Sequence, residues 1–109
     1  MGKIKSEEYN VPVLEFDTPD LFHSYILNEK GCMFDHIVQA IEYAMCNDIE
    51  NIDVIRAEIK EPYSAVTIQA RSFEWEKTLN YAMKHYIKKE YFEQCAKVRD
   101  LLEELVITE

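Results

Sequence analysis

The chain has 109 residues, with 12 Lys+Arg against 21 Asp+Glu and a formal net charge of −9. That length suits one domain, and folding should bury about two thirds of the unfolded chain's surface. Hydrophobic residues at 48%, charged residues at 30%, two glycines and three prolines exclude collagen-like, low-complexity and disulfide-stapled classes.

The acidity argues against direct nucleic-acid binding, because neutralising phosphates needs a basic footprint. The densest basic stretch, Lys84 to Lys89, is flanked by Glu90 and Glu93. The plainest meaning of the charge is solubility. The sharper one is a surface aimed at a basic partner, or one that imitates a nucleic acid's phosphates. Cys32, Cys46 and Cys95 are odd in number and match no metal or redox spacing. The opening Met1-Gly2-Lys3-Ile4-Lys5 is no signal peptide, and the Gly2-x-x-x-Ser6 match to a myristoylation pattern is short enough to be accidental. No apolar run approaches the roughly 18 residues of a membrane-spanning helix. A reducing cytoplasm is the expected compartment, with no membrane partner.

One domain over residues 1–109 is expected, with residues 1–10 as a loose start. Val11 to Phe16 reads as a short extended segment, and Pro12 places it at a sheet edge or before the sheet proper. Thr18 is a helix cap and Pro19 the first helical residue. Leu21, Phe22, Tyr25 and Ile26 follow at helical spacing, and the helix should end near Glu29 with Gly31 as a left-handed C-cap. Met33 to Asn47 is the clearest amphipathic helix, with Phe34, Ile37, Val38, Ile41, Ala44 and Met45 on one face.

Ile52 to Ile59 alternates, but its phase slips between Val54 and Ile55, so either a bulge is expected there or one end of the segment lies outside the sheet. Lys60 to Ser64 is a turn containing Pro62, and Ala65 to Ala70 alternates cleanly, completing an antiparallel hairpin. Ser72 is a helix cap for a helix that buries Trp75, Leu79, Ala82, Met83, Tyr86 and Ile87. Lys88 to Glu90 is the next turn. Tyr91 to Leu105 is the last helix, with Phe92, Cys95, Ala96, Val98, Leu101, Leu102 and Leu105 inward and a tail from Val106 that frays or extends. The fold class is therefore α+β: a small antiparallel sheet of two or three strands, packed by helices, ending in an αα-hairpin over 73–105.

Chemistry-bearing constellations are sparse. Cys32 and His36 share a helix face if the helix starts by Cys32, with Asp35 beside them, but no oxyanion hole or nucleophile elbow accompanies them. His23, His36 and His85 lie on three separate helices without ligand spacing. Two glycines cannot build a phosphate cradle. The acidic pairs Glu7-Glu8 and Glu103-Glu104 are sequence neighbours that do not face each other. No cofactor, metal or catalytic set is expected, and the chain reads as non-enzymatic. The aromatic set is large, with seven Tyr, five Phe and Trp75. Tyr9, Tyr63 and Tyr91 fall outside the apolar stripes, where a tyrosine suits a protein interface.

Leu79-x-x-x-Met83 followed by Phe92, Glu93, Ala96, Arg99, Asp100, Leu102 and Leu105 resembles the UVR motif. That motif is a helical hairpin found in bacterial excision-repair proteins, Clp-type unfoldase subunits and kinase-associated adaptors. Cys95 stands where the family has its first alanine. The resemblance covers about a quarter of the chain and implies a close-packed helical hairpin that contacts another protein; small residues at 95 and 96 let two helices approach.

The expectation is a small acidic protein-interaction module that regulates or bridges a partner protein, itself basic if charge steers it. Its contact surface is placed on the last two helices or the 60–64 turn, at Tyr63, Tyr91, Glu93, Arg99 and Asp100. Two alternatives stand beside it. One is an inhibitor encoded by a phage or mobile element, using an acidic surface that mimics nucleic acid. The other is a small ligand-binding protein or enzyme with a site near Cys32 and His36. A homo-oligomer is compatible with each, since a small sheet leaves an edge to pair.

Overall fold

The computed structural model describes residues 10–108, with side chains through residue 106. The loose start expected over residues 1–10 lies, Asn10 apart, outside the described residues. The elements are β1 (Val13–Phe16), α1 (Pro19–Asn28), α2 (Lys30–Cys46), β2 (Asn51–Lys60), β3 (Tyr63–Arg71), a 3-10 turn (Ser72–Glu74), α3 (Trp75–Lys89) and α4 (Phe92–Thr108). The class is α+β with a C-terminal helical hairpin, and the element order matches the sequence reading.

The sheet runs β1-β2-β3. β2 and β3 pair antiparallel through the two-residue turn Glu61-Pro62, whose peptide bond is cis. β1 pairs with β2 in parallel, from Val13 opposite Arg56 to Phe16 opposite Ile59, so the three-stranded sheet is mixed and not wholly antiparallel. A parallel pair needs a crossover connection of about a dozen residues or more. The segment between these strands holds two helices and supplies it.

The phase slip in β2 is a bulge: the register jumps between Asp53 and Ile55, so Val54 is the extra residue of β2. Ile52, Val54, Ile55, Ala57 and Ile59 are consequently all buried, while Asp53, Arg56 and Glu58 stay half-exposed on the other face. On that polar face Gln69 donates to Asp53 at 2.8 Å and Arg56 pairs with Glu58 at 3.2 Å. The helices add Met33, Val38, Ala40, Ile41 and Ala44 from α2, Trp75, Leu79, Ala82 and Tyr86 from α3, and Val98 and Leu101 from α4.

Helix ends separate the sequence reading from the structure. Thr18 is the cap as expected, its Oγ1 accepting from the Leu21 amide at 3.3 Å, with Pro19 next. Gly31 is not a C-cap. It lies in the first turn of α2 with no positive φ, and α1 and α2 meet at Glu29. The left-handed positions fall instead on Asp48 (φ 57°) and Glu90 (φ 62°). Each closes a helix: the Ile49 amide donates to the Ala44 carbonyl at 2.9 Å, and the Tyr91 amide to the Tyr86 carbonyl at 2.9 Å. These bonds satisfy carbonyls that a helix end would otherwise orphan. Ser72 makes no side-chain cap. It opens a 3-10 turn, and its amide donates to the Glu50 carbonyl at 2.8 Å, tying the end of β3 to the start of β2. Ile87 and Phe92, expected inward, are 57% and 70% exposed. The turn at Glu90 carries both past the end of the core. The segment from Val106 continues α4 to Thr108 and is not extended.

These placements generate two predictions. Leu79→Ala should cost about 2–5 kcal/mol of unfolding free energy through the cavity it leaves, read as a lower urea midpoint at unchanged slope. Gly31→Ala and Glu90→Gly should each raise stability by about 0.5–1 kcal/mol, since one supplies a better helix former and the other relieves a left-handed non-glycine. A Cβ at residue 31 would meet only the tip of His85, at 3.4 Å from Nε2. A loss of stability in Gly31→Ala would restore the C-cap reading.

Candidate interaction surface

The last two helices pack through Leu79, Ala82 and Tyr86 on α3 and Val98 and Leu101 on α4, with Cys95 and Leu102 partly buried against them. Tyr86 is the largest fully buried side chain. Its hydroxyl donates to Asp35 Oδ1 on α2 at 2.5 Å, so the hairpin is tied to the rest of the protein by a charge-assisted bond as well as by apolar contact. Burial pushes the Tyr86 phenol well above its usual range, and the bond to Asp35 and the Asp35 charge push it further. The ring lies edge-on to His85 at 5.7 Å and near Tyr91 at 6.4 Å.

Beyond Tyr86 the hairpin turns through Glu90, and its end is apolar. Ile87 is 57%, Tyr91 48% and Phe92 70% exposed, within six residues of one another along the chain. Lys88 and Lys89 lie between them, and Glu93 follows on the first turn of α4. An isoleucine, a tyrosine and a phenylalanine are thus exposed around one turn among charged neighbours, and that apolar area costs solvation in the free protein. Glu93 also borders a cleft of about 330 Å³ between α2 and α4, together with Asp35, Gln39, Glu42, Gln94 and Lys97. Lys97 bridges to Glu42 across it at 3.1 Å.

Among the residues singled out from the sequence, Tyr91 and Glu93 belong to this end of the hairpin. Arg99 and Asp100 lie farther along α4, exposed, with both Arg99 Nε and Nη2 donating to Asp100 Oδ1. They satisfy each other as sequence neighbours and link no second element. Tyr63 stands on a different element, first residue of β3 and 72% exposed beside the Glu61-Pro62 turn. Four of the five sequence-derived residues thus lie on α4 or the turn leading into it, and Tyr63 lies on the β2–β3 hairpin. Ile87 and Phe92 were missed because their helical spacing matched the core stripe. The signal against them is position: both flank the turn where that stripe runs out.

The Cys32–His36 corner is not an assembled site. Cys32 is exposed, and its thiol lies 3.9 Å from Glu29 Oε1. His36 is half-buried, and no hydrogen bond between the two is formed. Among the described residues no group of three or more His, Cys, Asp or Glu is placed to hold a metal ion. The neighbouring face of α2 does border an open groove of about 440 Å³, lined by Ile26, Met33, Phe34 and Ile37 with Lys84 and His85 from α3. The Phe34 and His85 rings approach to 5.2 Å there. One buried side-chain polar atom among the described residues lacks a partner, Nε1 of Trp75. Trp75 lines a further cleft with Asp48, Glu50 and Ser72. No helix among the described residues is long and apolar enough to cross a membrane.

Tyr86→Phe should lower stability by about 1.5–3 kcal/mol at neutral pH, the range for a bond to a charged acceptor. The pH dependence has a definite sign. The folded phenol holds its proton above the pH, near 10.0, at which an unfolded tyrosine releases it. Its stabilisation is thus complete below pH 10 and declines as the pH rises further. Denaturant melts of both proteins from pH 7 upward should show the difference between them shrinking above pH 10; a constant difference would remove the phenol from the explanation.

No family model, curated protein or solved structure matches the chain.

Proposed function

We propose that the protein is a non-enzymatic interaction module that binds a partner protein through the end of its α3–α4 hairpin. The observation that carries this reading is the exposure of Ile87, Tyr91 and Phe92 around the Glu90 turn. An apolar turn held rigid by the Tyr86–Asp35 bond needs little ordering on association, which favours affinity. The resemblance of residues 79–105 to the UVR motif supports the same surface, as that motif is a protein-contacting hairpin. Lys88, Lys89 and Glu93 at the border would set orientation rather than most of the affinity. The partner contributes an apolar recess, and the wider negative charge of the chain favours a partner of net positive charge.

In the test, the tagged protein is crosslinked in its native cells and the retained partner is identified, then purified and titrated. Ile87→Ser with Phe92→Ser should weaken that binding at least tenfold, the scale of one or two anchor residues, while leaving the melting temperature nearly unchanged. Tyr63→Ala should bind as the parent does. Full binding by the double variant would overturn the assignment.

A second reading is supported by the groove beside α2, in which apolar walls stand under Lys30, Lys84 and His85 and no carboxylate contributes to the lining. In so acidic a chain this combination suits a small apolar acid. 8-Anilinonaphthalene-1-sulfonate, an apolar sulfonate, should bind the native protein, and Lys30→Glu with Lys84→Glu should weaken it about tenfold. Equal binding by both proteins would exclude the groove.

A further inference from the structure

β3 is an edge strand without the usual protection. Its nine residues carry no bulge and no proline, and among the described residues no strand pairs with it beyond β2. In a chain with 30% charged residues, the eight from Tyr63 to Ala70 carry no charge. Natural proteins blunt such edges with inward lysines, prolines, bulges or very short strands. β1, the opposite edge, is blunted: four residues long and preceded by Pro12. In β3 only Ile68 and Ala70 are half-buried, and the rest are exposed. An antiparallel ladder leaves every second N–H and C=O of an edge strand pointing outward and unpaired.

We propose that β3 pairs antiparallel with β3 of a second copy, about a two-fold axis at Thr67, giving a continuous six-stranded sheet. The strand is complementary to itself in this register. Thr67 faces Thr67, Val66 faces Ile68, Ala65 faces Gln69, Ser64 faces Ala70 and Tyr63 faces Arg71. Val66 and Ile68 lie on the helix-covered face, opposite Ala57 and Ile55 of β2, yet Val66 is left 40% exposed. Pairing gives it an apolar cross-strand neighbour from the second copy. Tyr63 and Arg71 lie on the other face, where a guanidinium over the ring adds a cation–π contact. Two copies with a net charge of −9 each repel, and the uncharged stretch of β3 lets them meet without setting carboxylates against each other. An arbitrary partner strand would not be expected to match this symmetry.

The experiment is sedimentation equilibrium of the full chain at successive dilutions and at low and high salt. The parent should sediment at twice the 12.9 kDa of one chain, dissociate on dilution, and associate more tightly as salt screens the repulsion. Thr67→Lys, which sets two ammonium groups against each other on the axis, should sediment as a monomer with an unchanged far-ultraviolet circular dichroism spectrum. Thr67→Cys should form an intermolecular disulfide between the two copies of residue 67 under mild oxidation, located by peptide mass mapping, because directly opposite positions come close enough to bridge. Ser64→Cys, which faces residue 70, should not link to itself. A parent that remains a monomer at every concentration overturns the proposal. So does a dimer that Thr67→Lys leaves intact, or a Thr67→Cys chain that links no better than Ser64→Cys; the cysteine pair decides the matter even where the lysine variant fails to fold.

Discussion

The bulge at Val54 sets the one-sidedness of β2, and the rest of the fold is arranged on that face. A strand alternates its side chains, so Ile52 and Val54 would face opposite to Ile55, Ala57 and Ile59 if the alternation ran uninterrupted. One extra residue returns both groups to the same side. All five are buried as a result, and the other face keeps Asp53, Arg56 and Glu58 at half exposure with their own pairings. α2, α3 and α4 then have a single apolar surface to cover. The layer they form holds Ile41, Leu79, Tyr86 and Val98, each almost completely removed from water.

Covering that surface leaves two turns uncovered, the Glu90 turn of the α3–α4 hairpin and the Glu61-Pro62 turn of the β2–β3 hairpin. The core stripe of the α3–α4 hairpin runs out at Tyr86, and the apolar residues around the next turn are presented to water. Tyr86 fixes the geometry at this boundary, with its ring in the core and its hydroxyl on Asp35. At the β2–β3 turn, Glu61, Pro62 and Tyr63 are all exposed. Val66 has the alternation of an inward residue and the exposure of a surface one.

Backbone strain is distributed in a way that composition alone would not suggest. With two glycines in 109 residues, the chain reaches the left-handed conformation at Asp48 and Glu90. Each position terminates a helix with a six-to-one bond, and each directs the chain into its next element, β2 after Asp48 and α4 after Glu90. A left-handed non-glycine costs on the order of 1–2 kcal/mol, and the neighbouring Ala44 and Tyr86 carbonyls, both on buried residues, gain partners that offset part of it.

The sequence by itself determined the elements and their order. Apolar spacing defines α2 and α3, the Thr18-Pro19 pair starts α1, and the phase slip at Val54 announces the bulge, because each is written in residues within a turn or two of one another. What lies beyond that range was not legible. Parallel pairing of β1 depends on where two helices return the chain, and no local pattern encodes it. Gly31 looked like a C-cap because glycine is the usual left-handed residue, yet α2 had already begun at Lys30 and the left-handed positions fell elsewhere. Ile87 and Phe92 fit the helical stripes of Trp75–Lys89 and Phe92–Thr108 but have nothing opposite them. Periodicity says which residues share a face; only the tertiary structure decides whether another element covers it, since burial depends on partners distant in sequence.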